Sequence, residues 1–255
     1  MFKSAAVDLK SAKEIALMRR AGAVVAQALA ALERRAEPGV STLELDALAE
    51  KTLRGHGAIP AFLGYRGFPH TLCASINCEV VHGIPSKSRI LQEGDILSMD
   101  IGCVIDGFFG DAAITVPIGR ISEDAERLLR VTRSALDKAI EQMRPDRRLG
   151  DVSAAVQACA EGAGYSVVRE FVGHGIGRAL HEDPAVPNYG TADTGLRLRP
   201  GMVLAIEPMV NEGAADVKVL DDKWTAVTAD GRLSAHFEHT IAVTENGPEI
   251  LTLLS

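Results

Sequence analysis

Cysteine is scarce in this chain of 255 residues. There are four, Cys73, Cys78, Cys103 and Cys159, and no two form a C-x-x-C pair. That excludes a disulfide miniprotein and predicts an intracellular chain with reduced thiols. A basic excess is also missing. Lys plus Arg is 27 against 34 for Asp plus Glu, a net charge of -7. A nucleic-acid binder of the usual kind is therefore not expected, and only a local basic patch is left as a route to one. Long hydrophobic runs are absent too. The longest nearly apolar stretch, Ala21 to Leu32, is too short to span a bilayer and contains Gln27. The opening residues MFKSAAVDLKSAKEIALMRR carry no apolar leader core, so a soluble cytoplasmic chain is expected.

What is present suits one large or two small globular domains: 47% hydrophobic and 24% charged residues. The length allows a full core without covalent staples. Ser11 with Glu14, and Ser41 with Glu44, form capping boxes that predict two helices, the first ending before Pro38-Gly39 and the second near Gly55. In the first, Ile15, Leu17, Met18, Ala21, Val25 and Leu29 follow a helical period. A strand-like run, Thr71 to Ile76, and the loop His82-Gly83-Ile84-Pro85 precede a hairpin, Asp95 to Val104 and Phe108 to Val116. Helices over Ser122 to Met143 and Asp151 to Glu161 follow, then strands and loops.

The order repeats. Gly94 to Asp100 aligns with Gly201 to Glu207 at an offset of 107, as does Pro38 with Pro145. Asp111 to Val116 aligns with Glu238 to Val243 at an offset of 127. Short apolar strands resemble one another by chance, but two segments with matching acids in matching order weaken that explanation. The repeat predicts a single domain, 1–255, with pseudo-repeats over about 11–117 and 122–245. The fold class expected is α+β, both helix pairs covering one continuous sheet.

The hairpin concentrates acid. A turn at Ile105-Asp106 sets Asp100 opposite Asp111, and a turn at Asp106-Gly107 sets it opposite Ala113 with Asp111 diagonal. Either way both carboxylates share a face, unless a bulge intervenes. Two carboxylates ~4 Å apart repel by about 4 kcal/mol at an effective dielectric near 20. The neighbours are apolar, and no basic residue lies between Arg89 and Arg120. A metal is the best local candidate to offset the repulsion. Glu207 and Glu238 should join the pair through the repeat, giving four carboxylates suited to two divalent cations. Among seven histidines, the glycine-flanked His174 and His82, and His181 seven residues after His174, stand out; His56 and His70 are assigned to the surface.

GHGIGRALHEDP (173 to 184), AIEPMV (205 to 210), SAHFEHTIAVTENGPEILT (234 to 252), VVHGIP (80 to 85) and SMDIG followed by Gly110-Asp111 together resemble methionine aminopeptidase, type I. The resemblance covers essentially the whole chain. It implies the pita-bread fold, a pseudo-twofold duplicated α+β unit with a central antiparallel sheet covered by helices, and a dinuclear metal site. It implies Asp100, Asp111, His174, Glu207 and Glu238 as metal ligands, with Asp111 and Glu238 bridging. His82 and His181 become substrate-side imidazoles and Glu207 a proton shuttle. Phe62, Tyr65, Phe68, Cys73 and Trp224 fall in the methionine pocket, and Asn77 and Ser234 where relatives hold a monovalent cation. Each pocket residue is about as readily explained as plain core. The implied cofactors are two divalent ions (Co, Mn, Fe or Zn). The implied activity is excision of N-terminal methionine before a small residue. The implied partners are nascent polypeptide N-termini, met transiently at the ribosome, with no DNA and no membrane. A monomer is expected, since no leftover apolar helix face stands out.

Three positions depart from the family: Leu180 for a usual Phe, Phe62 for a smaller residue, and His236 for Gln. His236 shares the strand face of Glu238 and suggests an extra group behind the ligands. Two other readings compete. A non-catalytic relative would lose ligands, and all are here. Prolidase-like hydrolases carry a large extra N-terminal domain for which there is no room. The spacings His174 to Glu207 (33 residues) and Glu207 to Glu238 (31) likewise leave no space for the type II insertion.

Overall fold

Both capping boxes form. A computed structural model describes residues 7–254, so the first six residues of the segment read as lacking a leader lie outside it. In helix α1 (Ala12–Arg35), the Glu14 carboxylate accepts the Ser11 N–H at 2.8 Å. In α2 (Thr42–Gly55), Glu44 does the same for Ser41 at 2.9 Å. Each box satisfies amides that a helix start leaves bare. By length and composition α1 is apolar enough to cross a membrane. Here Ala21, Val25, Leu29 and Leu32 are buried under a sheet instead.

The first half continues with β1 (Ile59–Pro60), a 3-10 turn (Tyr65–Gly67), β2 (Leu72–Ile76), β3 (Glu79–Val81), β4 (Ile96–Ile105) and β5 (Phe108–Pro117). Helices α3 (Glu123–Glu141) and α4 (Leu149–Gly162) follow. The second half has β6 (Ser166–Val167), β7 (Gly173–Gly175), β8 (Glu182–Val186), β9 (Val203–Ile206) and β10 (Met209–Asn211). It closes with β11 (Val217–Val219), β12 (Ala226–Thr228), β13 (Ser234–His236), β14 (Glu238–Thr244) and β15 (Gly247–Ile250). Nine strands form one antiparallel sheet in the order β1-β4-β5-β14-β9-β7-β8, with β2 also on β4 and β15 on β14. β13-β10-β6 and β11-β12-β3 form two smaller sheets. The central strands β5 and β14 are flanked by β4 and β9, and these by β2 and β7.

Period-2 alternation sets what each face carries. Leu97, Met99, Ile101 and Cys103 of β4 pack in one core with α1 and α2, which leaves Ser98, Asp100 and Gly102 on the other face. On β9 and β14, Leu204, Ile206, Ile241 and Val243 pack in a second core with α3 and α4. The helices thus cover one face, and the acids stand on the other. The hairpin turn is Asp106-Gly107, both left-handed (φ 51° and 79°), which is the type I′ geometry that matches strand twist. Asp100 therefore pairs with Ala113, and there is no bulge. Glycine is required where α1 crosses β5. A Cβ on Gly110 would lie 2.8 Å from the Gly22 nitrogen, and one on Gly22 would lie 2.2 Å from the Leu251 oxygen.

Candidate metal centre

Ala113 pairs with Asp100 on one side and with Glu238 on the other, so three strands set both acids in one row. Asp111, two residues before Ala113, shares that face. Glu207 follows directly on β9, and His174 of β7 pairs with Ala205 of β9. Asp111, His174 and Glu238 each offer a donor atom within 4.8 Å of the others. His174 Nε2 lies 3.4 Å from Glu207 Oε1.

The electrostatics are those of a crowded, buried anion site. Burial and mutual repulsion push Asp100, Glu207 and Glu238 well above the carboxylate range, and burial lifts Asp111 to about 7. Asp100 Oδ1, Asp111 Oδ1 and Glu238 Oε1 are buried without a hydrogen-bond partner. Native proteins rarely leave such atoms orphaned. Burial lowers His174 to about 4, keeping the ring neutral near pH 7. Its Nδ1 lies 2.9 Å from the Gly175 carbonyl, which can only accept. Nδ1 therefore carries the hydrogen, and the Nε2 lone pair is free toward the acids. Hard or borderline cations prefer this donor set of carboxylates with an imidazole.

The glycines around His174 are required by the strands beside it. A Cβ on Gly173 would lie 2.4 Å from the Ala205 oxygen, and one on Gly175 2.3 Å from the Asp183 oxygen. They let neighbouring strands close on β7.

Above the acids lies a cleft lined by the residues expected of it: Phe62, Tyr65, Phe68, Cys73, His82, His181 and Trp224, with Leu180. The Tyr65 hydroxyl lies 2.9 Å from His181 Nδ1, and the two rings stack at 5.3 Å. Phe68 meets Trp224 edge-on at 5.1 Å. His82 stands edge-on to Phe171 at 5.4 Å in a left-handed conformation (φ 61°). Burial pushes His82 down to about 4 and lowers His181, with Arg66 adding to the latter. Arg66, Val81, Phe171 and Val172 also line the cleft. Sequence reasoning missed them, since nothing local marks Phe171 as a wall for His82.

Asn77 and Ser234 do meet, through main chain: Ser234 N–H donates to the Asn77 carbonyl at 2.9 Å. Their side chains turn to Asp95 and Asn211. His56 is exposed, as assigned. His70 is not a free surface residue. It is half-buried, 2.7 Å from Asp46, whose other oxygen accepts the Thr71 and Leu72 amides.

A curled antiparallel sheet with a buried acid and imidazole cluster at the foot of an apolar cleft is the framework of a metal-dependent hydrolase. The description "Metallopeptidase family M24" matches residues 16–245. The chain is 52% identical over 243 residues to methionine aminopeptidase 1 of Bacillus subtilis, covering 95% of this chain and 98% of that one. It is 53% identical over 248 residues to methionine aminopeptidase of Clostridium perfringens, covering 97% and 99%. The crystal structure of methionine aminopeptidase from Thermotoga maritima superposes with a TM-score of 0.96 at 49% identity, covering 97% of this chain and 100% of that one. The chain belongs to metallopeptidase family M24 and, within it, to the methionine aminopeptidases. It is a metallo-exopeptidase hydrolase with the pita-bread fold, and the family implies a divalent metal, which the orphaned carboxylate oxygens and the free His174 nitrogen fit.

Proposed function

We propose that the protein removes the N-terminal methionine of peptides and nascent chains whose second residue is small and uncharged. One observation carries the reading. Asp111, His174 and Glu238 converge within 4.8 Å, with unpartnered carboxylate oxygens, at the foot of an apolar cleft. Two divalent ions (Co, Mn, Fe or Zn) would be held by Asp100, Asp111, His174, Glu207 and Glu238. Asp111 and Glu238 would bridge, Asp100 would complete one site, and His174 with Glu207 the other. Such ions supply a water acidic enough to deprotonate near neutral pH and a Lewis acid for the scissile carbonyl.

The chain's own residues do the rest. Phe62, Tyr65, Phe68, Cys73 and Trp224 enclose the methionine side chain, whose unbranched thioether adapts to such a wall. His82 and His181, both lowered by burial and so neutral near pH 7, donate to the scissile amide and steady the developing oxyanion. The Tyr65 hydroxyl holds His181 in orientation for that task. Glu207 accepts the water proton on a carboxylate oxygen and passes it to the leaving amine. Asn77 and Ser234 would hold a monovalent cation through their carbonyls.

The same reading takes the chain as one catalytic domain of two pseudo-repeats. The flanking of β5 and β14 by β4 and β9 supports it. The proposed setting is a cytoplasmic monomer that meets nascent chains transiently at the ribosome, with no DNA or membrane partner.

The test is metal-stripped protein given Met-Ala-Ser or a proline-containing peptide, with and without Mn(II) or Co(II), with free methionine as the readout. Metal-dependent release from Met-Ala-Ser, lost in Asp111→Ala and His174→Ala, is expected. No cleavage of any peptide with any metal would sink the proposal.

A further inference from the structure

Glu207 lies between two imidazoles. His174 Nε2 is 3.4 Å from its Oε1, and His236 Nε2 is 3.9 Å from its Oε2. The second imidazole has no role in the reading above. His236 is 2% exposed, and its Nε2 has no hydrogen-bond partner at all. Native proteins rarely leave a buried ring nitrogen bare, so a bond is expected to form at some stage of the working cycle.

The main chain of His236 is also held firmly. The Thr115 hydroxyl accepts the main-chain N–H of His236 at 2.9 Å and donates to its carbonyl at 2.7 Å. The Ser98 hydroxyl, 2.8 Å away, is left to donate to Thr115. On the other edge of β13, His236 pairs with Met209 of β10. The main chain at His236 is thereby pinned between β5 and β10, and the ring nitrogen it carries lies 3.9 Å from Glu207 Oε2. His236 Nε2 faces the far oxygen of Glu207, Oε2, while His174 Nε2 faces the near one, Oε1.

We propose that His236 is a positioning residue for Glu207: its Nε2–H holds Glu207 Oε2 and leaves the Oε1 edge, beside His174, to face the metal. The gap of 3.9 Å is too long for a hydrogen bond as it stands. It closes when the Glu207 carboxylate turns Oε2 toward the ring, which also turns Oε1 toward the site. Bonding to His236 and binding of metal then favour one another. Groups that orient a metal ligand in this way typically change metal affinity by about 10–100-fold when removed.

This inference rests on Glu207 being a metal ligand, and the experiment separates the two. Mn(II) binding to the metal-stripped full chain is measured by calorimetry for wild type, Glu207→Gln, His236→Leu and His236→Gln. Melting of the metal-free proteins serves as the check on folding. His236→Met replaces the Leu variant if that one folds poorly. The expected result is that His236→Leu weakens binding about 10–100-fold with metal-free melting little changed, and that His236→Gln, which keeps a donor, recovers most of it. Wild-type affinity in His236→Leu with loss in Glu207→Gln overturns the positioning role alone. Wild-type affinity in Glu207→Gln overturns the assignment of Glu207. Equal loss in the Leu and Gln variants, with an altered Co(II) absorption band, would make His236 a direct ligand and overturn the proposal.

Discussion

Asp100 and Glu238 stand in one row of the sheet with only Ala113 between them. They belong to strands two apart, so their main chains are separated by about twice the 4.8 Å strand spacing. The methyl group of Ala113 keeps the space between them open, and Asp111 enters from the same face. Crowding that would be unstable for bare carboxylates becomes a preformed receptacle for cations.

Ala113→Val should therefore weaken Mn(II) binding by more than it weakens the fold. Overpacking a buried site costs about 1–3 kcal/mol. Calorimetry and urea denaturation would compare the two effects. Unchanged metal affinity would mean that the gap is not needed.

Metal-free protein should gain from losing one acid above neutral pH. Burial lifts Asp111 from 3.8 to about 7. Between those values the folded chain keeps a proton that the unfolded chain has released. The stabilising share is full below 3.8 and is lost as pH rises through about 7. Asp111→Asn removes that loss, so in chelator the variant should melt higher than wild type above pH 7 and equally at low pH. Added metal should reverse the order. A variant that melts lower in chelator at alkaline pH would refute the burial argument.

His181→Ala should lower kcat by about 10²–10³, the usual effect of removing one oxyanion donor. Tyr65→Phe should cost less, because it removes only the hydroxyl that holds His181 Nδ1 at 2.9 Å. Steady-state kinetics on Met-Ala-Ser would rank the two. Equal losses would make the phenol a participant in its own right.

The His82 loop is tied at its base by Arg89, which pairs with Glu79 and donates to the Ile84 carbonyl at 2.7 Å. Glu79 in turn accepts the Ile76 amide at 2.8 Å. Arg89→Met leaves a half-buried carboxylate without its cation, for a loss of about 1.5–3 kcal/mol in urea denaturation. It should also lower kcat more than it changes KM, with partial recovery in Arg89→Lys. An unchanged kcat would show that His82 needs no such support.

Much of the fold and the site is legible in the sequence, for local reasons. The two capping boxes, the hairpin and the acids on its one face follow from spacing alone, and long motifs pointed to the family. The turn was the undecided element. Two registers fitted the sequence, and the left-handed pair Asp106 and Gly107 selects the one that faces Asp100 with Ala113. Long-range partners stayed hidden. Lys10 pairs with Glu182 at 2.7 Å across 172 positions, and nothing in either segment announces the other. The same holds for Phe171 beside His82, and for Asp46, which takes His70 out of solvent.

The seam between β5 and β14 is narrow: Glu238 with Ala113 and His239 with Ala112. It joins residues 127 positions apart in Asp111 and Glu238. A ribosome delivers those two acids many seconds apart, at about 5–20 residues per second. Until the later strand has emerged and docked, the earlier hairpin offers only half a cage. A chain cut short before β14 is therefore expected to lack the metal centre as well as the seam.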